Sequence, residues 1–200
     1  MVNTSRQSHT GAWVVAVILI LVYALPLRGL LRSQGPPMEE GFMLAFPEFV
    51  LNGLRPNRDF LHLYGPGSLW ALAGTYKLFG VSLATERWFG VLQQIGIIAG
   101  VAGLARYWGR LMALIAGLLA IAFVIPPIGL TALAWDGAVA LLVLGLLCGL
   151  EGRRRVLNVG TALKFSFAGG LLIGLGLTFR PDLIIAATLG GLCASWGLGN

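Results

Sequence analysis

Charge is scarce in this sequence: Asp, Glu, Lys and Arg together make up 11% of its 200 residues, against roughly 25% in a soluble domain. With 57% apolar residues and a mean hydropathy of +0.84, a water-soluble fold is excluded, because no core could hide so much apolar surface. Cysteine is nearly absent too. Cys148 and Cys193 lie inside apolar runs with no Cys-x-x-Cys spacing, which excludes a disulfide framework and a zinc site. No Gly-x-x-x-x-Gly-Lys phosphate loop occurs, and the glycine-rich stretches lack the strand-and-helix setting of a dinucleotide fold. The net charge of +6 comes without the basic-aromatic pattern of a nucleic-acid binder, so it is read as a topology signal and an attraction to anionic headgroups.

What the sequence does contain is a series of apolar runs: Ala12–Ala24, Trp88–Ala105, Leu111–Ile125, Ala132–Leu150, Phe165–Phe179 and Leu183–Trp196. A membrane span needs ~20 apolar residues at 1.5 Å rise each. The runs predict an all-α, polytopic transmembrane bundle forming one domain over 1–200, with spans at about 12–31, 85–107, 110–126, 131–150, 164–180 and 183–198. The first run has no small-x-small cleavage site before Arg28, so it is read as a span and not a signal peptide. The chain stops at Leu-Gly-Asn directly after a short apolar run, and the expectation is an incomplete module that continues in further spans. Clusters such as GGLLIGLGL predict helix faces of small residues that pack closely.

Two further apolar stretches are too short to span. Ser68–Gly80 would reach only ~20 Å as a helix against ~30 Å of hydrocarbon. Its Leu69, Leu72, Ala73 and Tyr76 fall on one stripe, beside Lys77. Gly41–Gly53 places Phe42, Ala45, Phe46, Phe49 and Val50 on one stripe, with Pro47 expected to kink it. Both are predicted to be juxtamembrane amphipathic helices within one long outer loop, 32–84. With the N-terminus in the cytoplasm, Arg106, Arg110, Arg153–Arg155 and Lys164 all fall inside, as the positive-inside rule requires, while Arg55, Arg58 and Lys77 reduce the contrast. Seven of the eight acidic residues then meet the outer face, with Glu151 alone inside. Carboxylates near hydrocarbon are costly, so they face a cavity or a partner; Glu86 beside Arg87 and Asp182 beside Arg180 are the expected ion pairs.

The densest group of polar residues is Met38–Gly67, which combines Glu39-Glu40, an amphipathic helix, Arg58-Asp59-Phe60 and Tyr64-Gly65-Pro66-Gly67. This stretch resembles the first extracytoplasmic loop of the GT-C glycosyltransferases, in particular the branch of protein O-mannosyltransferases and bacterial aminoarabinose transferases. In that family an Asp-Glu pair follows the first span, then a juxtamembrane helix, then Gly-x-x-x-Tyr-Arg-Asp-Phe and a Pro-containing turn; Gly53 and the residues just named stand in the matching places. LFGVSLATERW resembles the family's lead into the next span, and GLGLTFRPD its Gly-rich span ending in a cation. The likeness covers about residues 12–185. Two positions depart from it: Glu39 stands where the family has Asp, and Asn57 where it has Tyr.

The resemblance implies a multi-pass enzyme of the bacterial inner membrane that transfers a sugar, with inversion, from a polyprenyl-phosphate donor to an extracytoplasmic protein, glycan or lipid acceptor. Glu39 is the first candidate for the general base and Glu40 the second; general-base assistance is typically worth ~10²–10⁴-fold. Arg180 and Arg58 are the candidate phosphate ligands, Asp59 and Tyr64 shape the pocket, and Asp136 is a second acid near the sugar. Some members of the family bind a divalent metal, but no ligand cluster here marks one, and His62, with no second His nearby, reads as a loop residue. The alternative on the same residues is a non-enzymatic membrane protein: a transporter-like subunit, or an inactive relative that binds lipid phosphate.

Overall fold

The computed structural model describes residues 4–33 and 35–196. Among these the chain forms eight helices and no strand: α1 (Thr4–Leu30), α2 (Pro37–Leu51), α3 (Pro66–Phe79), α4 (Leu83–Ala105), α5 (Arg110–Ile128), α6 (Ala134–Arg154), α7 (Val159–Phe179) and α8 (Ile184–Trp196). Four are long and apolar enough to cross a membrane: α1 from Gly11, α4 with its 3-10 extension to Trp108, α6 and α7. They match four of the expected spans, although α7 begins at Val159, where the Asn158 side chain caps the Thr161 N–H. The other two expected spans, 110–126 and 183–198, fall on shorter apolar helices; residues 197–198 lie outside the described residues.

Small residues set the closest helix pair. α6 packs most extensively on α7, where Gly145 and Gly149 meet Gly169 backbone to backbone. A Cβ on Gly169 would sit 2.8 Å from the Gly145 carbonyl oxygen, so only glycine allows this approach.

α2 and α3 form a hairpin of short helices laid against α4, with α3 also touching α6 and α7. The α3 stripe is as expected: Leu69, Leu72, Ala73 and Tyr76 are all buried. The α2 stripe is met only in part. Val50 is buried as expected, but the other buried residues are Glu40, Met43 and Pro47, whereas Phe42, Phe46 and Phe49 form an aromatic row in which Phe46 stacks on Phe60 and Phe49 meets it edge-on. Pro47 explains the rotation. A proline lacks the N–H that would bond the carbonyl four residues earlier, and that carbonyl, on Met43, accepts instead from the Tyr76 hydroxyl at 3.1 Å. The face that needs an outside donor therefore turns toward α3.

Removing that donor should cost stability. Tyr76→Phe strands the buried Met43 carbonyl, and thermal unfolding of the solubilised protein should register a loss of ~1–3 kcal/mol. In a Pro47→Ala background, where the helix supplies its own N–H, the same change should cost less than about 1 kcal/mol. An equal cost in both backgrounds would show that the Tyr76 hydroxyl does not serve the carbonyl.

Candidate functional site

α1, α2 and α4 are joined by an ion pair that the sequence does not announce. Arg87, the fifth residue of α4, is buried, and its Nε donates to Glu40 Oε1 at 2.8 Å while Nη1 donates to the Leu31 carbonyl at 2.8 Å. Glu86, the expected partner of Arg87, points elsewhere: its Oε1 accepts the Ala132 N–H at 2.6 Å, just before α6. Consecutive helical residues diverge by about 100°, so neighbours in sequence do not face each other. Of the two adjacent acids, Glu40 is thus fixed in a buried ion pair beside a cavity of about 260 Å³.

Glu39, one step round the first turn of α2, opens into a different space. It lines a cleft of about 420 Å³ together with Met38, Phe42, Phe46, His62 and Tyr64. Among the described residues it makes no ion pair or hydrogen bond. The opposite wall is the segment 61–64, and its shape is set locally. Asn57 sits at φ 63, a left-handed conformation that Asn tolerates far better than Tyr. Its Oδ1 accepts the His62 N–H at 3.0 Å and its N–H donates to the Phe60 carbonyl at 2.7 Å. A Tyr at this position would have to adopt the same disfavoured backbone.

Tyr64 connects the cleft to the end of α7. The Gly65 N–H donates to the Phe179 carbonyl at 3.0 Å, and the Arg180 guanidinium lies over the Tyr64 ring, 5.5 Å from its centroid. Arg180 also makes a two-pronged pair with Asp182, at 2.8 and 2.6 Å, as expected from the sequence. That contact holds the Arg180 pKa above its ordinary value.

The remaining candidates stand apart from the cleft. Arg58 is largely exposed and 3.7 Å from Asp59. The Asp59 carboxylate closes a turn by accepting the Arg55 N–H at 2.7 Å, so this pair shapes the loop. Asp136 is buried in the first turn of α6, with Oδ2 lacking a hydrogen bond; it stands three residues after Leu133, whose side chain also lines the cleft. No group of three or more His, Cys, Asp or Glu that could hold a metal occurs among the described residues.

Sequence reasoning missed His62. The residue is 6% exposed, its ring lies edge-on to Phe46 at 5.9 Å and to Tyr64 at 6.0 Å, and burial holds its pKa below the ordinary 6.5, with a smaller opposing pull from the Gly65 backbone. The fold thus favours the neutral ring. Its contribution is complete above 6.5 and is lost as pH falls below 6.5 through the folded-state value. Between pH 7.5 and 5, the unfolding temperature of the wild type should fall more than that of His62→Gln; parallel curves would show that the ring does not titrate with folding.

Compared with known protein families, characterised proteins and solved structures, the chain has no match.

Proposed function

We propose that this chain is a membrane glycosyltransferase of GT-C type, passing a sugar from a polyprenyl-phosphate donor to an extracytoplasmic acceptor in the Glu39 cleft. One observation carries the reading: the candidate base, Glu39, is unpaired in a cleft whose wall, Tyr64, bears the candidate phosphate ligand Arg180. Glu39 takes the proton of the acceptor hydroxyl as its oxygen attacks the anomeric carbon. The bond from that carbon to the phosphate oxygen breaks with inversion, and the electron pair leaves on the lipid phosphate. Arg180 stabilises the departing charge, exchanging part of its contact with Asp182 for phosphate. Glu40 serves the fold through Arg87, and Arg58 and Asp59 serve the loop.

The test is transfer of labelled sugar by the purified protein, supplied with a panel of polyprenyl-phosphate sugars in lipid vesicles. Label in an acceptor supports the reading. Donor binding with no transfer favours the non-enzymatic alternative, for which the double contact of Asp182 on Arg180 already speaks.

The reading also requires the cleft to face away from the cytoplasm, with the N-terminus inside. Leu61 and Leu157 are both exposed. With Cys148 and Cys193 replaced, Leu61→Cys should react with an impermeant maleimide on intact cells, and Leu157→Cys only after permeabilisation. The reverse pattern would place the cleft on the cytoplasmic side.

A further inference from the structure

Where α4 and α6 end, three arginines are gathered around one acid. Glu151, in the last turn of α6, accepts from Arg106 Nη2 and from the Tyr107 hydroxyl at 2.7 Å, both on Oε1, and its Oε2 lies 3.1 Å from Arg155 Nη2. Arg106 and Tyr107 belong to the 3-10 turn that follows α4, so the pairing bridges 45 residues of chain. Arg154 joins the group through the Tyr107 ring, which its guanidinium covers at 4.4 Å, and the Arg155 guanidinium lies 4.3 Å from the centre of the Phe165 ring of α7. Gly152 permits this closure: a Cβ there would stand 2.7 Å from Ser166 Oγ of α7.

A patch that only fixes topology needs the number of its charges and not their directions. Glu151 works against such a purpose, because it cancels one of the three positive charges. What it supplies is order. An arginine loses rotamer freedom when it binds a ligand, and one already held in place has less to lose. The donors nevertheless stay open. Each guanidinium carries five N–H groups, Arg106 and Arg155 each meet Glu151 through Nη2, and their side chains are 50% and 44% exposed. Forked donors fixed on one carboxylate match the oxygens of a phosphate placed beside it.

The surroundings decide which phosphate. The cluster stands where two apolar spans end, and Trp108, Val156, Leu157 and Val159, beside it in the chain, are all largely exposed. A soluble phosphate would satisfy the arginines and leave that apolar surface in water. A phospholipid covers both, its headgroup on the cations and its glycerol and acyl chains along the apolar side chains. We propose that Arg106, Arg154 and Arg155, ordered by Glu151 and Tyr107, form the headgroup site of one anionic phospholipid. A zwitterionic headgroup is disfavoured, since its own cation meets the two positive charges left over. The site is independent of the transferase reading and of the side of the membrane that this end faces.

The experiment titrates the full chain, delipidated in detergent, with phosphatidylglycerol and phosphatidylcholine of identical acyl chains and counts bound lipid by native mass spectrometry. One phosphatidylglycerol should be retained with roughly tenfold or greater preference. Arg106→Lys, Arg154→Lys and Arg155→Lys together keep every charge but replace each fork with an ammonium, and should cut that preference by roughly tenfold. The same exchange at Arg28, Arg32 and Arg55, exposed elsewhere in the protein, should leave it in place. If the first triple variant loses helical content, Arg154→Lys alone, whose side chain packs on the Tyr107 ring, should still lower the preference by roughly threefold. Equal retention of the two lipids by the wild type, or an undiminished preference in the folded variant, overturns the proposal. So does an equal loss in the second triple variant, or displacement of the bound lipid by equimolar glycerophosphoglycerol, which is the same headgroup without its chains.

Discussion

Glu39→Gln should reduce sugar transfer by at least ~10²-fold while leaving the helical fold and donor binding intact. The substitution keeps the size of the side chain and removes only its ability to take a proton. The structural cost is small because Glu39 is half-buried and unpaired in the first turn of α2; what is lost is a favourable interaction with the helix N-terminus, worth ~0.3–1 kcal/mol. Glu39→Asp keeps the carboxylate but withdraws it by ~1 Å, a displacement that can itself cost ~10²-fold. It should therefore turn over faster than Glu39→Gln and slower than the wild type. Single-turnover transfer of labelled donor separates the three, and undiminished turnover by Glu39→Gln would remove it from the role of base.

Breaking the Glu40–Arg87 pair should have the largest effect on stability. Removing one member of a buried ion pair leaves the other charged and unpaired, at a cost of about 3–5 kcal/mol. Arg87→Leu and Glu40→Leu should each lower the unfolding temperature and the yield of folded protein. Arg87→Leu should be the worse of the two, because Arg87 also binds the Leu31 carbonyl. The double variant has no stranded charge and should recover more than half of the loss, a coupling that a double-mutant cycle reads directly. Strict additivity of the two single losses would show that the pair does not form. The two neighbouring acids are thereby distinguished: substitutions at Glu40 act through folding, those at Glu39 through turnover.

Much of the architecture is legible in the sequence because it depends on local periodicity and length. The α3 stripe of Leu69, Leu72, Ala73 and Tyr76 is read correctly from spacing, and Ser68–Gly80 is too short to span whatever surrounds it. The α2 stripe is read correctly at Val50 and misjudged at its phenylalanines, because hydrophobicity alone favours them, while burial is decided by Pro47 and by the Tyr76 hydroxyl that completes its helix from 33 residues away. Arg180 and Asp182 are two residues apart across a helix break, so their contact is legible. Arg87 and Glu40 are 47 residues apart, and no local rule connects them. His62 is hidden for a similar reason. Its burial follows from the left-handed turn at Asn57 and from phenylalanines on another element, none of which leaves a periodic trace.

The most direct test of the account is the location of the donor. A polyprenyl-phosphate sugar carrying a small photoreactive group on the sugar ring should, when irradiated with the protein in vesicles, label peptides containing Met38–Phe46 and Leu61–Tyr64. Unmodified donor should compete that label away. Label elsewhere in the chain, or label in these segments that the donor does not displace, would contradict the assignment of the cleft.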